Sequence, residues 1–172
     1  MEKETVTDLK GVVEQFQAPL IRYAARMLRD PETAKDVVQE SFIKYLRVSQ
    51  KKEKGEIENV QAWLYRITRN GCLDRIKSGR AAYEVRMSEE FEHGDPAPGP
   101  DHQLERDEIM KIVRKKISQL PDKEREIVVL KMEHGKSYKD IAEIMELSVT
   151  NVGFILHTAM KKLSAELKGL NV

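Results

Sequence analysis

QAWLYRITRNGCLDRIKSGR, residues 61–80, carries an apolar helical stripe and a cationic face in a single segment. Val60, Trp63, Leu64, Ile67, Cys72 and Ile76 recur near helical spacing, while Arg66, Arg69, Arg75, Lys77 and Arg80 fall largely elsewhere on the circumference. The spacing predicts one helix with two surfaces. Its five cations meet one carboxylate, Asp74, so the segment stands at plus four in a chain whose formal net charge is +1. A concentrated basic face beside aromatic side chains suits phosphates and unstacked bases. A solvated helix face is built from the same residues, so this segment alone does not decide between the two. Trp63 shares a face with Ile67 and is expected in the packing rather than on a stacking surface.

Toward the N-terminus, Leu9, Val12, Val13, Phe16, Leu20, Ala24, Met27 and Leu28 recur at three and four and predict a helix from residue 7. Pro19 falls inside it. An interior proline costs about 3 kcal/mol or more, so a kink or a new helix near Ala18 is expected. Asp30-Pro31 reads as an N-cap followed by a first-turn proline. The helix it opens points Ala34, Val37, Val38, Phe42 and Leu46 inward and carries Asp36, Gln39, Glu40 and Lys44 on its other face. A polar, lysine-rich loop over residues 49–58 follows, and Asn59 is placed to cap the central helix. Three or four helices sharing one apolar face make a small all-α domain, residues 7–80.

Toward the C-terminus the composition changes. Nine carboxylates face two arginines over residues 81–108, and the middle, HGDPAPGPDH, is rich in proline and glycine. Such a stretch has too little apolar surface to offset the entropy of ordering, so residues 81–103 are expected to be a flexible acidic linker between two domains. Helical periodicity returns at residue 104 with Leu104, Ile109, Ile112, Val113 and Ile117 and stops at Leu120-Pro121-Asp122. Asp122 is expected to cap a helix carrying Ile127, Val128, Leu130 and Met132, which Gly135 ends. Ser137 and Asp140 have capping-box spacing ahead of a short helix over residues 140–145. After a turn at Glu146-Leu147, Ser148 caps a longer helix to residue 167. Short helix, tight turn, serine-capped second helix is a helix-turn-helix, with Ile141, Ala142, Leu147, Val152 and Leu156 as its internal core. Residues 104–172 thus form a second helical domain.

Several classes of function are set aside. The 172 residues are 40% hydrophobic and 34% charged, and no segment approaches the ~18 consecutive apolar residues of a membrane span. The charged N-terminus lacks a secretory apolar core, so the chain is expected in the cytoplasm with no membrane insertion. Cys72 lies in the apolar register and reads as a packed thiol. His93, His102, His134 and His157 show no metal-ligand spacing, and no glycine loop cradles a phosphate. No enzyme activity, catalytic residue, metal or cofactor is expected.

Both halves, in order, resemble one family. KDVVQESFIKYL is similar to the helix by which region 2 of a bacterial RNA polymerase sigma factor of the extracytoplasmic-function (ECF) group docks on the polymerase clamp. AWLYRITRNGCLDRIKSGR resembles the family's melting and promoter-reading segment, and LPDKEREIVVLKMEHGKSYKDIAEIMELSVTNV resembles region 4. The resemblance implies core RNA polymerase and promoter DNA as partners, and an anti-sigma factor, which members of the family often have. It implies polymerase binding by Asp36, Gln39, Glu40 and Phe42, although an internal core position suits Phe42 equally. The loop 51–59 would hold a flipped base, and Arg66, Arg69, Asn70, Arg75, Lys77 and Arg80 would contact and melt the minus-ten element. In region 4, Lys136, Lys139, Ser148, Thr150, Asn151, His157 and Lys161 would contact the minus-thirty-five element.

One departure stands out. The family's recognition helix usually carries several cations after the capping residue, and this chain has Gly153, Ile155 and Thr158 there, with Phe154 and Ile155 as apolar groups that would face solvent. Two alternatives therefore stay open: a polymerase-independent helix-turn-helix regulator, and a helical interaction protein with weakened DNA binding.

Overall fold

The computed structural model describes residues 2–51, 57–88 and 102–169, and side chains over 9–51, 57–88 and 106–169. The described residues form helices and their connections, in two compact units that divide between residues 92 and 93.

In the first unit, α1 (Glu2–Leu28), α2 (Pro31–Gln50) and α3 (Val60–Ser78) pack against one another, and α4 (Arg80–Ser88) follows. Of the two outcomes expected at Pro19, a new helix near Ala18 does not occur: α1 runs as one helix with Pro19 inside it. Burial of Leu20, Tyr23, Ala24 and Leu28 in the turns that follow supplies packing energy that outweighs the proline's cost. At the corner, Arg29 adopts a left-handed φ of 51°. Asp30 then caps α2, its Oδ1 accepting from the amides of Glu32 and Thr33 and its Oδ2 from the Thr33 hydroxyl at 2.7 Å. The Thr33 hydroxyl is the main reason the Asp30 carboxyl is held below its ordinary value of 3.8. Asn59 caps α3 as expected, accepting from the Ala62 amide at 3.0 Å.

The apolar stripe of α3 is the expected one only at Leu64 and Cys72. Ala62, Leu64, Tyr65, Thr68, Gly71 and Cys72 are buried, whereas Val60, Trp63, Ile67 and Ile76 are half-buried. Tyr65 meets Tyr23 with ring centroids 5.2 Å apart, and burial pushes its phenol up to about 12. Thr68 donates to the Ser41 hydroxyl at 3.0 Å, and Ser41 donates to the Val37 carbonyl at 2.9 Å. Both side chains are buried, so this relay ties α2 to α3 without leaving an orphaned polar group. Gly71 lies close against α2: a Cβ there would stand 2.8 Å from Val37 Cγ1.

Part of the stretch expected to be linker is helical. Arg80 pairs with Glu84 one turn on at 3.0 Å within α4, and Arg86 Nε donates to the Leu28 carbonyl at 3.1 Å, satisfying an acceptor at the end of α1. Residues 89–101, including most of HGDPAPGPDH, lie outside the described residues, and α5 already includes residues 102 and 103.

The second unit comprises α5 (His102–Ser118), α6 (Asp122–Met132), α7 (Tyr138–Met145) and α8 (Val149–Lys168). Its core is Ile117, Leu120, Ile127 to Leu130, Ile141, Ala142, Ile144, Met145, Val152, Leu156, Ala159 and Leu163. Ile109 and Met132, members of the helical patterns, are exposed, and Leu147, expected in the internal core, is half-buried. Asp122 is not the cap of α6: Pro121 takes that position without a side-chain hydrogen bond. Asp122 pairs instead with Arg125, whose Nη1 donates to the carbonyls of Ser118 and Leu120 and so closes the end of α5. Gly135, with φ of 61°, supplies the left-handed residue after α6. Lys162 holds Glu124 at 2.8 and 3.0 Å, and Lys116 holds Glu166 at 3.1 Å, tying α8 to α6 and α5.

Candidate polymerase and DNA interfaces

Each unit presents a polar helix face directly opposite its buried one. On α2 the buried residues are Ala34, Val37, Val38, Ser41, Phe42 and Tyr45; on the far side Asp36, Gln39 and Glu40 are exposed together. Phe42 does not join them. It is only 9% exposed and belongs to the core, because its position in the 3.6-residue period puts it beside Val38 and Tyr45. In its place the outward face carries Ile43, 45% exposed, which the sequence reading passed over. Its spacing of four from Gln39 and seven from Asp36 was the available signal.

The cationic face of α3 divides. Arg66, Asn70 and Lys77 fall at i, i+4 and i+11, on the side of the helix away from the core, with exposed Leu73 at i+7. Arg75 turns toward α2 and pairs with Glu40 at 2.6 Å, both side chains being partly exposed. Arg80 opens α4 and is engaged by Glu84. Arg69 is half-buried and also takes part in an interaction. Trp63 is half-buried with its ring 6.0 Å from that of Tyr45, as a packed residue rather than a free platform. Residues 52–56 of the expected base-holding loop lie outside the described residues.

In the second unit α7 and α8 form the helix-turn-helix. Ser137 and Asp140 complete the capping box, each side chain accepting from the other's backbone amide at 3.0 and 3.2 Å. Glu146 turns the chain in the left-handed conformation, and Ser148 accepts from the Asn151 amide at 3.1 Å. Thr150, Asn151, His157, Lys161 and Lys139 are exposed. Lys136 is not available as a surface cation: it is 7% exposed, and burial pulls its ammonium below the ordinary value, against the pull of the Asp140 carboxylate. At the positions lacking cations, Gly153 lies against the Tyr138 ring, Ile155 is half-buried and Thr158 donates to the Phe154 carbonyl at 3.0 Å. Phe154 itself is 71% exposed.

Among the described residues no group of three His, Cys, Asp or Glu side chains comes together as a metal site, and no helix is long and apolar enough to cross a membrane. Cys72 is buried and is not part of a disulfide.

These two units match two described families: Sigma-70 region 2 over residues 12–82, and Sigma-70, region 4 over residues 110–163. The RNA polymerase sigma-H factor of Pseudomonas aeruginosa is 31% identical over 170 residues, covering 92% of this chain and 86% of that protein. The ECF RNA polymerase sigma factors SigW and SigM of Bacillus subtilis are 29% and 25% identical, covering 92% and 90% of this chain and 88% and 91% of their own lengths. Among solved structures, the sigma factor RpoE from Bartonella quintana, in complex with the anti-sigma factor NepR, shares the fold with a TM-score of 0.66 at 22% identity, over 94% of this chain and 97% of that one. CnrH, in complex with the cytosolic domain of CnrY, gives 0.63 at 23% identity, over 94% and 88%. A region 2 unit followed by a region 4 unit defines the class as a sigma-70-type transcription factor. Within it, the chain belongs to the ECF group of bacterial RNA polymerase sigma factors.

Proposed function

We infer that this sigma factor binds core RNA polymerase through the outward face of α2 and directs initiation at specific promoters, with α3 acting on the minus-ten element and α8 on the minus-thirty-five element. The observation that carries the reading is the pair of sigma regions, in order on one chain, each with a polar stripe opposite its core. Asp36, Gln39 and Glu40 supply charge and hydrogen bonds at the polymerase, and Ile43 supplies the apolar centre that protein interfaces favour. Phe42 and Lys136 serve the folding of their units. Arg66, Asn70 and Lys77 face the promoter. Holding a base out of the stack costs a few kcal/mol, which contacts to the backbone and to the unpaired strand must offset.

The protein acts as a regulatory subunit rather than as a catalyst, in the cytoplasm where the polymerase works. An anti-sigma factor is a further partner proposed for this chain, supported by the complex of RpoE, which shares its fold, with the anti-sigma factor NepR.

Permanganate reactivity of promoter thymines separates the two surfaces. With Arg66→Ala and Lys77→Ala together, co-purification with core polymerase should persist while the unpaired strand disappears from the footprint. With Asp36→Lys, co-purification itself should fall. A footprint that survives the first pair of changes would refute the assignment of α3 to the promoter.

A further inference from the structure

On α8 the buried residues Val152, Leu156, Ala159 and Leu163 follow one another at i, i+4, i+7 and i+11. Thr150, Phe154, His157 and Lys161 repeat the same spacing two residues out of phase, which at 3.6 residues per turn puts them on the opposite side, and all four are exposed. Phe154 lies in the second turn, where a recognition helix meets base edges in the major groove. It has the highest exposure of the large hydrophobic side chains among the described residues, 71%. The neighbouring positions offer no competing cation: Gly153 is covered by Tyr138, Ile155 is half-buried, and the Thr158 hydroxyl is spent on the Phe154 carbonyl.

We propose that Phe154 reads the C5-methyl group of a thymine in the upstream promoter element, replacing the missing cations with an apolar contact that selects one base. The proposal rests on the reading that α8 enters the major groove. A phenyl ring has neither donor nor acceptor. Of the groups that base pairs display in that groove, the thymine methyl is apolar, while guanine, cytosine and adenine offer ring nitrogens, carbonyls and amino groups. Pressing the ring onto those polar edges would strip them of water without returning a hydrogen bond. Against a thymine the ring covers a methyl group that water otherwise surrounds. Thr150, Asn151 and His157, on the same exposed side, supply hydrogen bonds to the flanking bases or phosphates, and Lys139 and Lys161 supply charge at the backbone. Sequence selection by α8 thus depends on shape and methyl contact more than on arginine-guanine pairs.

The test uses the full-length protein assembled with core polymerase and a promoter library randomised across the upstream element. Selected promoters should be enriched in thymine at one or two adjacent positions, and Phe154→Ala should abolish that enrichment while leaving preferences at flanking positions. Replacing that thymine by deoxyuridine in a selected promoter removes only the methyl. It should lower promoter occupancy by the wild-type holoenzyme about 3- to 5-fold, the size of one buried methyl, and leave the Phe154→Ala holoenzyme unchanged. Insensitivity of the wild type to deoxyuridine, or thymine preference retained by Phe154→Ala, overturns the proposal. So does a Phe154→Ala protein with unaltered promoter selection but weaker association with polymerase, which would make Phe154 a protein contact. Initiation that is promoter-specific yet indifferent to the upstream element overturns the proposal alone, whereas absence of promoter-specific initiation overturns the proposed function with it.

Discussion

Single side chains divide here into those that hold the fold and those that are free to meet a partner, and Asp30 is of the first kind. Its carboxylate caps α2 through two backbone amides and the Thr33 hydroxyl. Asp30→Ala should cost about 1 kcal/mol at neutral pH, measured by urea unfolding. Because the folded carboxyl lies below its ordinary value of 3.8, its contribution is complete above that value and is lost as pH falls through the lowered one, so the difference between wild type and variant should shrink in acid. Lys136 and Lys161 make a second contrast. Lys136 is buried with its ammonium pulled down by desolvation, so Lys136→Met should leave the salt dependence of promoter binding by the holoenzyme unaltered. Lys161→Met should reduce the slope of log affinity against log salt by up to ~0.9. Sequence alone placed both lysines beside the helix-turn-helix. Burial separates them: Lys136, after the left-handed Gly135, is 7% exposed, whereas Lys161 lies on the exposed side of α8.

At the scale of helices, the period of hydrophobic residues told inside from outside well on α2 and on α8, where the core is built from large apolar side chains. On α3 it placed Leu64 and Cys72 correctly and missed the rest, for a physical reason. That helix packs closely through Ala62, Thr68 and Gly71, which carry little hydrophobic signal, and the partner of Thr68 is Ser41, 27 residues away. Val60, Trp63, Ile67 and Ile76, which are only half-buried, therefore stand out in the pattern more than the residues that fill the core beside Leu64 and Cys72. Two glycines should respond oppositely to the same change. Gly71→Ala would push a methyl to 2.8 Å from Val37 and should destabilise the first unit by about 1–3 kcal/mol, despite alanine's better helix propensity. Gly153→Ala meets Tyr138 at an ordinary 3.5 Å and should stabilise α8 by up to ~1 kcal/mol, read as a shift in unfolding midpoint. On α2, Ile43→Asp should weaken capture of core polymerase without lowering helix content by circular dichroism, since the residue is exposed and adds nothing to the core. Capture at wild-type affinity would remove Ile43 from the interface. Helix α4 is hidden in the acidic composition of its surroundings, and its Arg86 reaches back to the Leu28 carbonyl, a contact that no local pattern records.

For the whole molecule, the order of the two units was legible because each carries its own caps: Asp30 and Asn59 in the first, Ser137 and Ser148 in the second. Division of labour follows from charge. A formal net charge of +1 gives the chain little general attraction for DNA, and Lys162 and Lys116 are engaged by Glu124 and Glu166. In the proposed function, joining α3 and α8 to one polymerase raises their effective concentration at the promoter, so a cation-poor α8 would contribute selection even with a small affinity of its own. The central claim is that the chain confers promoter specificity on core polymerase. Transcription of total genomic DNA from the encoding bacterium by purified core polymerase, with and without the protein, tests it most directly when transcript starts are mapped. Starts that occur only with the protein and share a two-part upstream motif are the expected result; identical starts in both reactions would contradict the account.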